Sequence, residues 1–183
     1  MAFDGMFVAR EDDPRQDGGA VGELATYRDY LRNYRLTLEL KCGDLSPEQL
    51  AARSVPPSEL SLLGLVRHAA YVEQTWFQRA LQGNLDEPRP FTSSADPDIE
   101  FTGAVGTPAC VEEAFAAWRH EIERAEVWLD TQTDEDMART VVYNGDGATT
   151  TVRDILVHLV EEYARHCGHA DLLRECVDGR TGE

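Results

Sequence analysis

The amino-acid sequence predicts an all-α protein that folds as an up-and-down four-helix bundle, with a long loop between helices 2 and 3. Four long segments carry apolar residues at spacings of three and four, and strands do not alternate with them. A chain of 183 residues is long enough to bury the core of one domain. We therefore expect an N-terminal arm over residues 1–20 and one bundle domain over residues 21–179.

The charge of the chain excludes several classes of function. Acidic residues number 34 against 17 basic ones, which gives a net charge of −17 at pH 7. Such a field repels nucleic-acid phosphates and anionic lipids, and the apolar runs are too short to cross a bilayer. The first residues lack the positive end and apolar run of a signal peptide. We expect a cytoplasmic protein that binds neither nucleic acid nor membrane.

The first half of the chain contains two predicted helices. The first covers residues 21–41 and ends at Gly43, and a capping box over residues 46–49 then opens a short helical turn. Residues 56–58, Pro-Pro-Ser, break the chain before the second helix. One face of that helix carries Leu62, Leu65, His68, Val72 and Trp76. A histidine therefore interrupts an otherwise apolar stripe.

The second half begins with a long loop. Residues from about 84 to 106 are rich in proline and glycine and show no helical period. The pair Thr107-Pro108 is typical of a helix start and opens the third helix. Residues 141–147 predict a small strand and turn, and Thr151 caps a fourth helix that ends near Gly179.

The fourth helix carries a stripe of polar residues among apolar ones. At about 100° per residue, one face collects His158, Glu162, His166 and His169. Ile155 and Leu173 lie in the same arc, so this face is predicted to be buried. Burying polar rings is costly unless each finds a partner, and a metal ion is an efficient one.

We therefore predict a divalent metal site formed by His68, His166 and His169. Neutral imidazole binds zinc and nickel, and residues three or four apart on a helix can converge on one ion about 2 Å from each nitrogen. Three protein ligands leave one position open, which is the catalytic pattern. Glu162 remains an alternative, because Glu162 and His166 could replace the pair His166 and His169.

The other candidate side chains have simpler interpretations. A lone histidine on an apolar face is more often a hydrogen-bonded core residue, and His158 is expected to pack beside the site. His120 lies among charged residues and is expected at the surface. The cysteines form no C-x-x-C pair and are interpreted as reduced packing residues. They are Cys42, Cys110, Cys167 and Cys176.

Two segments resemble the DinB/YfiT-like superfamily of metal-dependent enzymes, especially its actinobacterial branch related to mycothiol-dependent transferases. They are residues 62–77, around His68, and residues 161–175, around His166 and His169. The resemblance covers about residues 20–180. It implies a four-helix bundle, often a homodimer, in which a histidine of the second helix and two ligands of the fourth hold zinc or nickel. His68 matches the first of these positions, and many relatives use an i, i+4 pair for the other two.

The resemblance also implies an activity. Related families transfer or isomerise small molecules with a low-molecular-weight thiol such as mycothiol, and a bound cation favours the reactive thiolate. The leading hypothesis is a metal-dependent thiol S-transferase that detoxifies small electrophiles, with the loop from about 84 to 106 shaping the mouth. The alternatives are another metal-assisted reaction, such as a hydrolase with Glu162 as general base, and a non-catalytic metal or small-ligand binding protein.

Overall fold

A computed structural model describes residues 6–15 and 18–182. Within these ranges the chain is mostly helical and has one two-stranded antiparallel sheet. The helices are α1 (Glu23–Cys42), α2 (Pro47–Leu50), α3 (Leu62–Glu73), α4 (Ile99–Thr102), α5 (Pro108–Leu129) and α6 (Val152–Asp178), and α3 continues directly as a π-helix, Gln74–Leu81. The strands are β1 (Thr140–Val142) and β2 (Thr149–Thr151). No helix in the described ranges has the length and apolarity needed to cross a membrane.

Local side-chain caps set the helix ends that the sequence predicted. The hydroxyl of Thr107 accepts a hydrogen bond from the backbone amide of Cys110 at the start of α5. Thr151 forms a capping box with Asp154 at the start of α6. Gly179 ends α6 in the left-handed conformation, with φ of 78°. These boundaries and the strand β1 confirm the sequence-based assignment, because each depends on residues close together in the chain. The pairing strand β2 was not predicted.

The start of α1 depends instead on a distant residue. No side chain of its own segment caps it. The carboxylate of Asp134 instead accepts hydrogen bonds from the backbone amides of Glu23 and Leu24, at 3.1 and 2.8 Å. Gly22 makes this approach possible, because a Cβ there would lie 2.7 Å from an Asp134 oxygen. The cap therefore ties α1 to the turn that follows α5.

Contacts between the long helices show their relative directions. In two parallel helices the residue numbers of the contacting pairs rise together, and in two antiparallel helices one number rises while the other falls. Along α1 and α6 they advance together: Glu23 with Arg153, Tyr34 with Cys167, and Lys41 with Asp171. Along α3 and α5 they also advance together: Arg67 with Cys110, and Phe77 with Trp128. Along α3 and α6 the order is opposite: His68 with His166, Glu73 with Tyr163, and Trp76 with His158.

The up-and-down order predicted from the sequence is therefore wrong at one connection. An up-and-down arrangement needs every long helix to run against the one before it, whereas α3 and α5 are parallel. The predicted long loop provides the reason, since residues 82–107 allow the chain to return along the molecule before α5 begins. The short helix α4, which the sequence did not predict, lies on this returning segment.

A buried ion pair crosses the core between α1 and α3. Arg35 donates to both carboxylate oxygens of Glu73, at 2.8 and 3.0 Å, and Glu73 is fully buried. The hydroxyl of Tyr163 donates to Glu73 at 2.6 Å and accepts from Trp118 at 2.8 Å. Burial and the neighbouring Glu73 raise the pKa of Tyr163, so its hydroxyl stays protonated. The network links all four long helices and leaves neither charge unpaired.

The described part of the predicted N-terminal arm lies against the helices. Residues 1–5 and 16–17 of that arm are outside the described residues. Phe7 is buried, with its ring centroid 4.1 Å from Nζ of Lys41 and 3.9 Å from the guanidinium carbon of Arg180. Such cation–π contacts hold the arm over the α1 and α6 side of the molecule.

Candidate metal centre

The antiparallel packing of α3 on α6 brings three possible ligands together. His68 faces Glu162 and His166, which are one helical turn apart on α6. Oε2 of Glu162 lies 3.5 Å from Nε2 of His68 and 3.4 Å from Nε2 of His166. The three residues can each offer one ligand atom within 4.8 Å of the others, and no other such group is found in the described ranges.

These separations fit a single metal ion. Ligand atoms about 2 Å from a tetrahedral ion lie about 3.3 Å from one another. Nε2 of His68 is also buried and has no hydrogen-bond partner within the described part of the chain. An unpartnered buried nitrogen is costly, and a cation between His68, Glu162 and His166 would satisfy it.

Electrostatics keep His166 in the form that binds metals. Burial and the neighbouring His68 lower the pKa of His166 to about 4, although Glu162 opposes the shift. The imidazole is therefore neutral near pH 7 and has a lone pair available.

The loop between α3 and α5 contributes a residue that sequence reasoning missed. Oε1 of Glu100, on α4, lies 2.9 Å from Nδ1 of His68. The rings of Phe101 and Tyr71 stack beside the same imidazole, with centroids 5.3 and 6.3 Å away. Glu100 lies in the proline- and glycine-rich segment, where the apolar residues have no helical spacing, so nothing in the sequence indicates that it would face the site.

The structure brings two of the three predicted ligands together and leaves the third outside the group. His68 and His166 come together with ring centroids 4.6 Å apart, and Glu162 stands between them. His169 is outside this group, because its Nδ1 lies 3.4 Å from Nδ1 of His166, the nitrogen that does not face Glu162. The role of His169 as a ligand stays a prediction that this arrangement does not favour.

The remaining histidines lie where the sequence placed them. His158 packs edge-on against Trp76, with centroids 4.7 Å apart, and its Nε2 lies 3.7 Å from Oε1 of Glu162. His158 is thus beside the group of ligands. His120 is exposed on α5.

A cavity of about 260 Å³ adjoins the site on the side of His158. Its walls are Trp76, Tyr143, Thr149, Thr150, Asp154, Ile155 and His158. The rings of Trp76 and Tyr143 stack with centroids 6.2 Å apart. A larger groove of about 890 Å³ between α1 and α5 shares no residue with the ligand group. The three ligands themselves line a space of only about 10 Å³, which can hold an ion but not a substrate. The cavity of about 260 Å³ has room for a larger molecule and meets the ligand group at His158.

All four cysteines are free thiols, as the sequence indicated. Cys42 and Cys167 are buried, and burial raises the pKa of each to about 12. A thiol with so high a pKa is a poor nucleophile near neutral pH. Neither of these two thiols is suited to carry the chemistry of the site.

Comparisons with known proteins concern the family and the fold. The sequence model of a family described as mycothiol S-transferase matches residues 26–179. No curated protein is matched by the sequence. A solved structure described as a conserved protein from Enterococcus faecalis is similar over 87% of this chain and 99% of its own, with a TM-score of 0.64 and 16% identity, and this likeness concerns the fold alone. The resemblance to the mycothiol-dependent branch of the DinB/YfiT-like superfamily is confirmed, and the chain belongs to the mycothiol S-transferase family.

Proposed function

We propose that the protein is a metal-dependent S-transferase that joins mycothiol to small electrophiles, and that His68, Glu162 and His166 hold its divalent ion. The spacing of the three ligand atoms carries the proposal, because separations of 3.4 and 3.5 Å match those expected around one ion. The family match supports the thiol as cosubstrate. Glu162 takes the place that the sequence had favoured for His169.

The ligand set favours zinc or nickel. Two imidazoles and one carboxylate suit either cation, and three protein ligands leave a position open. A divalent ion held there supplies positive charge that stabilises the thiolate form of a bound thiol, whose free pKa is about 8.5. Glu162 neutralises only part of that charge, so the centre retains an attraction for an anionic cosubstrate.

The residues around the centre provide access and binding surface. The side chains of His68 and Glu162 are each 17% exposed, so part of each ligand side chain faces solvent while Nε2 of His68 is itself buried. In this proposal the cosubstrate lies in the cavity beside His158, against the faces of Trp76 and Tyr143. His158 lines this cavity, and its Nε2 lies 3.7 Å from Oε1 of Glu162, so the cavity and the ligand group are neighbours.

The proposal also includes three expectations from the sequence. The first is a four-helix bundle, here with α3 and α5 parallel, and the common core of α1, α3, α5 and α6 supports it. The second is a cytoplasmic location, where thiol cosubstrates are kept reduced. The third is a homodimer, for which light scattering on the purified protein is the test. A mass of one chain across the working concentration range would remove the dimer from the proposal.

The activity is tested with the purified protein loaded with zinc or nickel. Turnover of an electrophile such as 1-chloro-2,4-dinitrobenzene is measured with and without mycothiol, before and after chelation. We expect turnover only when both metal and thiol are present. Metal-dependent turnover without thiol would favour the hydrolase alternative, and bound metal without turnover of any electrophile would favour the non-catalytic one. Thiol-dependent turnover that persists after complete metal removal would exclude the metal from the reaction.

A further inference from the structure

The loop between α3 and α5 contacts His68 of the candidate metal centre through two side chains of α4: the ring of Phe101 stacks on the imidazole, and Glu100 offers it a polar atom. We propose that Glu100 is a positioning residue that holds His68 in the tautomer and orientation needed to bind the ion, and that Arg67 keeps Glu100 in place. The inference rests on the proposed function for the ion itself. It assigns to the returning loop a role in building the centre as well as in shaping its mouth.

The contact between Glu100 and His68 selects a tautomer. A neutral imidazole carries one N–H, and an ionised carboxylate can only accept a hydrogen bond. Glu100 Oε1 lies 2.9 Å from Nδ1 of His68, so the proton belongs on Nδ1. The lone pair is then on Nε2, the nitrogen that faces Glu162. A carboxylate behind a ligand histidine also raises the basicity of that ligand.

Arg67 supports the segment that carries Glu100. Its guanidinium is buried and donates to the backbone carbonyls of Glu100 and Ile99 at 2.9 and 3.0 Å. It also lies over the ring of Phe91, 4.0 Å from the centroid. A four-residue helix such as α4 has little stability of its own, so these contacts hold it against α3.

The adjacent positions of Arg67 and His68 on α3 explain how one helix makes both contacts. Neighbouring residues on a helix point about 100° apart. Arg67 therefore reaches the backbone of α4, while His68 lies between Glu100 of α4 and Glu162 of α6. The sequence pair Arg67-His68 thus connects the returning loop to the ligand group.

Gly103 permits this close packing. A Cβ at this position would lie 2.6 Å from the carbonyl oxygen of Ile99 and 2.8 Å from Nη2 of Arg67. Any larger residue would have to displace the guanidinium or the last turn of α4. The space next to Arg67 is therefore kept free by the absence of a side chain.

The first test measures metal affinity with matched loop variants. Glu100→Gln and Glu100→Ala are compared with Asp98→Asn, which removes an exposed charge from the same loop, and Zn²⁺ or Ni²⁺ is titrated in competition with a chromophoric chelator. We expect the Glu100 variants to bind either cation 10- to 100-fold more weakly, as is usual when the partner of a ligand histidine is removed. Asp98→Asn should match the wild type. Affinities of the Glu100 variants within about twofold of Asp98→Asn would overturn the inference.

The second test does not need the ion. Nitrogen-15 NMR of the ring nitrogens in metal-free protein reports which nitrogen of His68 carries the proton. We expect the Nδ1–H form in the wild type and a mixture of both forms in Glu100→Ala. An Nε2–H form in the wild type would overturn the inference. A wild type that binds neither cation but has His68 in the Nδ1–H form would refute the proposed function and leave the role of Glu100 in holding His68 standing.

Arg67→Lys tests the support of the loop, because lysine keeps the charge but cannot donate to both carbonyls in the same geometry. We expect faster amide hydrogen exchange over residues 99–103 and a loss of metal affinity smaller than that of Glu100→Ala. Faster exchange with wild-type affinity would refute the part assigned to Arg67. Wild-type exchange in this segment would refute it as well.

Discussion

The carboxylate of Glu162 lies 3.4 Å from Nε2 of His166, whereas His169 approaches only the other nitrogen of that ring. This relationship predicts different results for two variants. Glu162→Gln should lose most of its bound zinc or nickel, because an amide oxygen is a weaker ligand than a carboxylate. His169→Asn should retain stoichiometric metal, as should His120→Asn, the control on the exposed face of α5. Metal content after dialysis provides the measurement, and retention by Glu162→Gln with loss in His169→Asn would restore the histidine triad.

The first ligand is tested by His68→Ala. This change removes the only ligand that α3 provides, and two ligands on α6 should hold the ion weakly. We expect metal occupancy to fall severely while the helical circular dichroism is unchanged. Stoichiometric metal in this variant, measured by elemental analysis, would refute the site.

The lowered pKa of His166 predicts how stability of the metal-free protein varies with pH. The folded pKa is about 4 and the ordinary value is 6.5, so the unfolded state binds more protons between these values. Stability should therefore fall as the pH is lowered from about 6.5 to 4, by up to about 3 kcal/mol from this residue. Urea unfolding across this range should show that the free energy of unfolding depends less steeply on pH in His166→Gln than in the wild type. Equal slopes in the two proteins would contradict the prediction.

The buried pair Arg35 and Glu73 predicts a large loss of stability when one partner is removed. Glu73→Gln should lower the free energy of unfolding by about 3 kcal/mol, because it removes the buried counter-charge of Arg35 and leaves the guanidinium paired with the partly exposed Glu126 alone. Arg119→Ala is the control, since Arg119 pairs with Glu39 at the exposed surface and should cost less than about 1 kcal/mol. Chemical unfolding checks both values. Similar small losses in the two variants would mean that the buried pair contributes little.

The buried thiol of Cys167 predicts that the protein does not supply its own nucleophile. Its pKa is raised to about 12, chiefly by burial, so very little thiolate forms near pH 7. Cys167→Ala should retain thiol-dependent turnover at close to the wild-type rate. Loss of turnover in a variant that still folds and binds metal would show that this cysteine takes part in the reaction.

The cavity next to His158 predicts a binding defect. Trp76→Leu should raise the KM for mycothiol by roughly 2- to 10-fold, the range that one aromatic contact supplies. Tyr30→Leu changes an exposed ring on α1 and should leave KM unchanged. Steady-state kinetics at fixed electrophile distinguish the two. An unchanged KM in Trp76→Leu would place the thiol elsewhere.

Features that depend on neighbouring residues could be read from the chain directly. The caps at Thr107 and Thr151 and the left-handed Gly179 set helix ends through contacts within a few positions, and the spacing of apolar residues marks the four long helices. His68 stood out for a similar reason, because a histidine on an apolar face needs a partner. These elements confirm the sequence-based prediction.

Features that depend on how the helices meet could not be read in this way. On α6, Glu162 and His169 lie to the same side of His166, about 40° and 60° around the helix, one turn before it and one turn after it, so the helix alone does not choose between them. The position of His68 on α3 brings Glu162 into the group. The parallel course of α3 and α5, the long-range cap from Asp134 to α1 and the contact of Glu100 with His68 likewise join residues distant in the chain. The conformational preferences of neighbouring residues do not determine such pairs, because the pairs form only when whole helices pack together.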